Sequence, residues 1–154
     1  MDSTKDDLLF LLHDVARLMR TRFDQRARSW GMTRAQCVIL MRLQKQPGIC
    51  QNDLAGLCEV EPITVARLID RLEANGLVER RADPSDRRVH RLHLQPAAGP
   101  ILAEITRFRA DATNRFKAGV PEADWVTARQ VLLQMKEKLV TEPQAAHTTT
   151  AAGE

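Results

Sequence analysis

The 154-residue chain contains no tyrosine, only two tryptophans and only four phenylalanines. Aliphatic side chains must therefore fill whatever core its 44% apolar content supplies, which favours packed helices over a sandwich of sheets. Cysteine is scarce as well. Cys37, Cys50 and Cys58 are odd in number and lack CxxC or CxxC…HxxxH spacing, so neither a disulfide framework nor a structural zinc site is expected, and reduced thiols are. The four histidines are scattered: His13, His90, His93 and His147 do not converge, and the spacing of His90 and His93 puts them on opposite faces of a strand, so no metal is expected. No basic-then-apolar leader opens the sequence, and the run Leu8 to Leu12 ends at His13-Asp14. Without about 18 uninterrupted apolar residues no membrane span is expected. GxSxG, HExxH, P-loop and paired-carboxylate patterns are missing, so the chain reads as no enzyme and needs no cofactor.

What the sequence has in quantity is arginine, 18 against 5 lysines, in an overall charge of only +3. Arginine suits bidentate phosphate contacts and insertion into narrow grooves. Two clusters stand out: Arg17 to Arg34 holds six arginines and one aspartate, and Arg80 to His93 holds five arginines and two aspartates. Genomic base composition accounts for the total as readily as function does, but less readily for the clustering.

Helical spacing of Leu8, Leu11, Leu12, Val15, Leu18 or Met19 and Phe23 predicts a long amphipathic helix from Asp6 to about Trp30, ended by Gly31. Thr33 is placed as the N-cap of a second helix that closes at Pro47-Gly48. A short third helix spans about Gln51 to Cys58, and a fourth runs through "EPITVARLIDRLEANG" with Pro62 in its first turn and Asn75-Gly76 as its stop. Strands are expected at Leu77 to Arg81 and Val89 to Leu94, joined by the turn residues Asp-Pro-Ser-Asp. Helices follow at about Ala97 to Ala118 and Glu122 to Val140, and residues 141–154 read as a disordered tail.

This order, mostly α with one small hairpin, is that of a winged helix-turn-helix with further helices at both ends. In that arrangement the fourth helix enters the major groove, and Ile63, Thr64, Arg67 and Arg71 lie on its solvent side. Arg67 can present two donors to guanine or hold a phosphate; the bland alternative is a solvated face with Arg67 paired to Asp70 or Glu73. A turn that projects Arg87 and Arg88 gains little stability, since exposed pairs are worth at most about 1 kcal/mol. Asp86 can hold the loop backbone or one arginine, leaving the other to enter an electronegative minor groove.

The stretches "GLVERRADPSDRRVHRLHL", "EPITVARLIDRLEANG" and "GMTRAQCVIL" resemble the MarR (multiple-antibiotic-resistance regulator) family, in its SlyA-like branch, over about Leu8 to Val140. The resemblance implies a cytoplasmic, nucleoid-associated DNA-binding regulator of transcription, usually a repressor, that binds a pseudo-palindromic operator as a homodimer. It implies an N-terminal dimerisation helix in 1–32, a DNA-binding lobe in 33–95 and C-terminal dimerisation helices in 96–140. Carried over by position, Arg67 is the recognition-helix arginine, Thr64 the hydroxyl residue near its start, Arg88 the wing-tip arginine and Asp86 its partner; Arg71 and Arg87 complete the expected DNA contacts. Apolar stripes near both ends exceed what the lobe alone could bury, which independently suggests a two-fold partner.

Three positions depart from the family pattern. Leu94 is followed by Gln95-Pro96 rather than threonine, Cys37 stands where tryptophan is common, and Cys50 replaces a Ser or Thr cap. Many members respond to a small aromatic or phenolic ligand, and His13, Arg17, Arg20, Cys37 and Leu40 are the expected border of such a cleft here. Capping of carbonyls or contact with phosphates explains these arginines equally well. Two other readings stay open: a thiol-based sensor using Cys50 or Cys58 beside a helix N-terminus, and a winged-helix dimer that acts only through protein contacts.

Overall fold

A computed structural model describes residues 7–58 and 60–141; the expected disordered tail lies, apart from Thr141, outside the described residues. Six helices and two strands follow one another as α1 (Leu8–Ser29), α2 (Arg34–Lys45), α3 (Gln51–Cys58), α4 (Pro62–Ala74), β1 (Val78–Ala82), β2 (His90–Leu94), α5 (Ala98–Lys117) and α6 (Glu122–Thr141). Local chemistry sets their ends. Asp7 accepts the Leu9 N–H at 2.9 Å, and Thr33 and Gln36 form a reciprocal capping box in which the Gln36 side chain accepts the Thr33 N–H at 2.9 Å. At the end of α4, Gly76 takes φ +69°, which lets its N–H reach the Glu73 carbonyl and the Leu77 N–H reach that of Leu72.

Those last bonds explain why β1 begins one residue later than periodicity predicts: Leu77 is committed to closing the helix. Val89 is likewise committed to the wing turn, since its N–H bonds to the Asp86 carbonyl and its carbonyl accepts from Asp83. The antiparallel register pairs Val78 with Leu94, Arg80 with Leu92 and Ala82 with His90. Directly opposed residues share a face, so Arg80 stands on the same side as the buried Val78 and Leu92. The hairpin is also wider than expected. Leu92 donates to the Ile49 carbonyl, Gly48 donates to the Leu92 carbonyl, and Cys50 bridges Arg91, so the chain entering α3 covers an otherwise open edge.

The chain divides into two compact units after Phe108. In the first, Leu40 and Leu43 of α2, Leu54 of α3, Val65, Ile69 and Leu72 of α4, Leu92 of the wing and Ile105 of α5 belong to one buried cluster, which Ala27 of α1 joins. Phe23, Trp30 and Phe108 form an edge-to-face trio with centroids 5.8–6.2 Å apart. In the second unit, the Lys117 ammonium reaches Glu122 at 2.8 Å and lies over the Trp125 ring. Two apolar surfaces remain uncovered in the single chain: Leu8, Leu11, Val15 and Leu18 on α1 are 43–62% exposed, and α6 buries no residue at all. Among the described residues no helix is long and apolar enough to cross a membrane.

Ile69 is fully buried on the inward stripe of α4. Replacing it with alanine is expected to lower unfolding free energy by about 2–5 kcal/mol through lost transfer energy and an unfilled cavity, read as a fall in the urea midpoint at fixed protein concentration.

Candidate nucleic-acid interface

Helix α4 is amphipathic in the required sense. Val65, Ile69 and Leu72 anchor it inward, and Ile63, Thr64, Arg67 and Arg71 are exposed on the other side. The ion pair expected of an ordinary solvated face does not form: Asp70 and Glu73 are both taken by Arg80. Arg80 places one guanidinium nitrogen 2.6 Å from Asp70 and another 2.5 Å from Glu73, donates to the Gln51 side chain at 3.1 Å, and reaches the Ala66 carbonyl at 3.3 Å. Its backbone N–H also bonds to Glu73. One inward-facing strand residue therefore ties the wing to α4 and to the first residue of α3.

The wing turn has a second organiser. Asp83 is buried, and its carboxylate accepts from the Ser85 hydroxyl, from the backbone N–H of Ser85 at 2.8 Å and of Asp86 at 3.3 Å, and from Arg91. Arg91 in turn donates to the Gly48 carbonyl at 3.0 Å. The Ser85 hydroxyl and N–H, then the Arg91 guanidinium, hold the Asp83 carboxyl well below the usual carboxylate range, against the smaller opposing effect of burial. Asp86 serves the backbone: its side chain accepts the Arg88 N–H at 3.0 Å, leaving the Arg88 guanidinium unheld.

These contacts sort the arginines into two sets. Arg80, Arg81 and Arg91 are committed to carboxylates. The guanidinium groups of Arg67, Arg71, Arg87 and Arg88 are exposed and meet no hydrogen-bond acceptor or carboxylate among the described residues. Sequence reasoning placed Asp83 among the turn residues without its organising role, and missed Arg80 and Arg91. An Asp-Pro-Ser start is an Asx-turn signal that could have found Asp83, whereas nothing in a charged, alternating strand marks Arg80 as the residue that faces inward.

The five residues expected to border a ligand cleft do not share one surface. Cys37 and Leu40 are fully buried in the core, and His13, Arg17 and Arg20 are exposed on α1, with Arg17 held by Asp14 at 2.6 Å. Burial pushes the Cys37 thiol up to about 11, partly offset by a backbone hydrogen bond. Burial also raises the Cys58 thiol, opposed by the charge of Arg42. Cys58 closes α3 rather than opening it, so the N-terminal dipole invoked for a reactive thiol acts only near Cys50.

With this geometry in place, comparison with known proteins is direct. A model described as the MarR family matches residues 32–90. The uncharacterised HTH-type transcriptional regulator YsmB of Bacillus subtilis (strain 168) is 32% identical over 100 residues, which is 65% of this chain and 68% of that protein. Among solved structures, the transcriptional regulator PA3341 is 33% identical with a TM-score of 0.75, covering 86% of this chain and 97% of its own. The crystal structure of MarR is 28% identical with a TM-score of 0.78, covering 91% and 95%.

Asp83→Ala removes four acceptor contacts from the wing turn while leaving the apolar core untouched. Faster amide exchange confined to residues 83–91 is the expected result, with little change in the thermal midpoint. Because folding lowers the carboxyl's pKa, its contribution is fully present above the ordinary carboxylate range and is lost as pH falls through the folded value. Wing protection in the native protein should accordingly persist through mildly acidic pH and be lost progressively only below the range in which exposed carboxylates protonate.

Proposed function

Because the chain belongs to the MarR family of DNA-binding transcriptional regulators, we propose that it binds a pseudo-palindromic operator as a homodimer and represses transcription by occupying it. The observation that carries this reading is the division of the arginines: those inside the lobe are neutralised by carboxylates, and Arg67, Arg71, Arg87 and Arg88 are left exposed on α4 and the wing. An exposed guanidinium is well hydrated and costs the free protein little unpaired, since a surface ion pair is worth at most about 1 kcal/mol; left without a carboxylate it is available to a polyanion. Arg67 reads a guanine edge and Thr64 a phosphate or a thymine methyl, Arg88 enters the minor groove, and Arg87 holds the backbone.

The homodimer reading is supported by the exposed apolar side chains of α1 and α6, among them Leu8, Leu11, Val15 and Leu18 on the one and Leu132, Leu133, Leu139 and Val140 on the other, which a second copy would cover. Two-fold symmetry then places two lobes on two half-sites. Effector control by a small aromatic acid belongs to the same reading, with Arg20 on α1, exposed and without a side-chain partner among the described residues, as the cation offered to its carboxylate. Its check is titration calorimetry with benzoate and salicylate, and heats indistinguishable from dilution up to millimolar concentrations remove it.

Arg67→Ala is expected to cost about 1–3 kcal/mol, roughly a five- to 150-fold loss of operator affinity, and Arg88→Glu to abolish specific binding, both in proteins that remain folded dimers by light scattering. Affinity of the native protein should fall steeply with salt. A complex indifferent to salt, or Arg67→Glu and Arg88→Glu variants that retain activity, would assign the protein to protein-only interaction instead.

A further inference from the structure

An open depression of about 460 Å³ lies where the end of α1, the start of α2 and the end of α4 meet, lined by Arg28, Thr33, Gln36, Arg71 and Asn75 among others. Two arginines line it, and no acidic residue does. The nearby acids are spent elsewhere: Asp24 holds Arg34 at 3.1 Å, and Glu104 holds Arg26 at 3.6 Å. Among the described residues neither Arg28 nor Arg71 has a side-chain partner. The start of α2 contributes further positive potential. The opposing carbonyls at the end of α4 are already engaged, since Asn75, Gly76 and Leu77 donate to Arg71, Glu73 and Leu72.

Two like charges on one concave surface repel unless an anion sits between them. We propose that Arg28 and Arg71 together grip one backbone phosphate of bound DNA, so that α1, otherwise a dimerisation element, also touches the nucleic acid. This rests on the DNA-binding reading above. Arg71 lies one helical turn, roughly 6 Å along the axis, beyond Arg67 on the same exposed side of α4. With Arg67 at base edges in a groove about 12 Å wide, Arg71 falls at the groove wall, where phosphates are. The depression is open, which suits a strand passing across it better than a small anion that would need enclosure.

The experiment uses duplexes selected by the full-length wild-type protein from a random-sequence pool, plus a scrambled duplex. Binding of wild type, Arg28→Ala, Arg71→Ala and the double variant is followed by anisotropy across a potassium chloride series, with circular dichroism confirming the fold. Each single variant should weaken selected and scrambled duplexes by the same factor. The slope of log affinity against log salt should shrink by about 0.9 per bound lobe in the double variant and by no more than that in either single variant, because one phosphate is shared. An unchanged slope in the double variant overturns the proposal, and so does a shrinkage of about 1.8 per bound lobe with additive losses, which means two separate phosphates in each lobe. A loss confined to the selected duplex makes Arg71 a base reader and also overturns it. A double variant that keeps full DNA affinity but loses a benzoate-dependent change assigns the depression to a free carboxylate. Failure of the wild-type protein to select any duplex instead refutes the DNA-binding reading itself.

Discussion

Arg80 occupies a position on the wing where a hydrophobic residue would be expected, opposite Leu92 and next to Val78 on the buried face, and only 19% of its side chain is exposed. A charge on a covered stem must find partners near its head. It finds Asp70 and Glu73 on α4, a carbonyl of α4 and the side chain of Gln51 on α3. The angle between hairpin and reading helix is thereby set by directional bonds as well as by packing. The same contacts neutralise two carboxylates on α4, the helix proposed to read DNA. Left unpaired, Asp70 and Glu73 would repel the phosphates that the proposed function brings to Arg67 and Arg71.

Asp83 does for the wing turn what Arg80 does for its base. By collecting a hydroxyl, two backbone N–H groups and the Arg91 guanidinium, it fixes the turn without using Arg87 or Arg88. Asp86 then orders the backbone at Arg88. Rigidity in the stem with freedom at the tip suits the groove-probing role proposed for Arg87 and Arg88, because neither guanidinium has an internal partner to give up on binding. The same sorting extends to α1 and the start of α2, where Arg17, Arg26 and Arg34 are paired while Arg20 and Arg28 have no side-chain partner among the described residues.

The apolar surfaces of α1 and α6 express a different constraint. The core of the first unit is closed by α1 to α5 around Leu40, Ile69 and Leu92, yet α6 contributes no buried residue. Burial of such surface is worth roughly 25 cal/mol per Å², and a second copy related by a two-fold axis would supply it to both ends at once.

Element order, helix caps and the outward face of α4 were legible in the sequence because each depends on local spacing: Thr33 and Gln36 are three residues apart, Val65, Ile69 and Leu72 recur at helical period, and Gly76 permits the turn that stops the helix. Arg67, Arg71, Arg87 and Arg88 were likewise identifiable as exposed cations from their periodicity and their turn. Pairings over long separations were not. Arg80 meets Gln51 across 29 residues and Arg91 meets Gly48 across 43, and neither partner is implied by its own neighbourhood. Cys37 and Leu40, expected at a cleft, are buried because α2 is packed on more than one side once the lobe closes. Local spacing determined which residues could face solvent; only the closed fold decided which arginines would be neutralised, because a carboxylate's reach is set by distance in space and not along the chain.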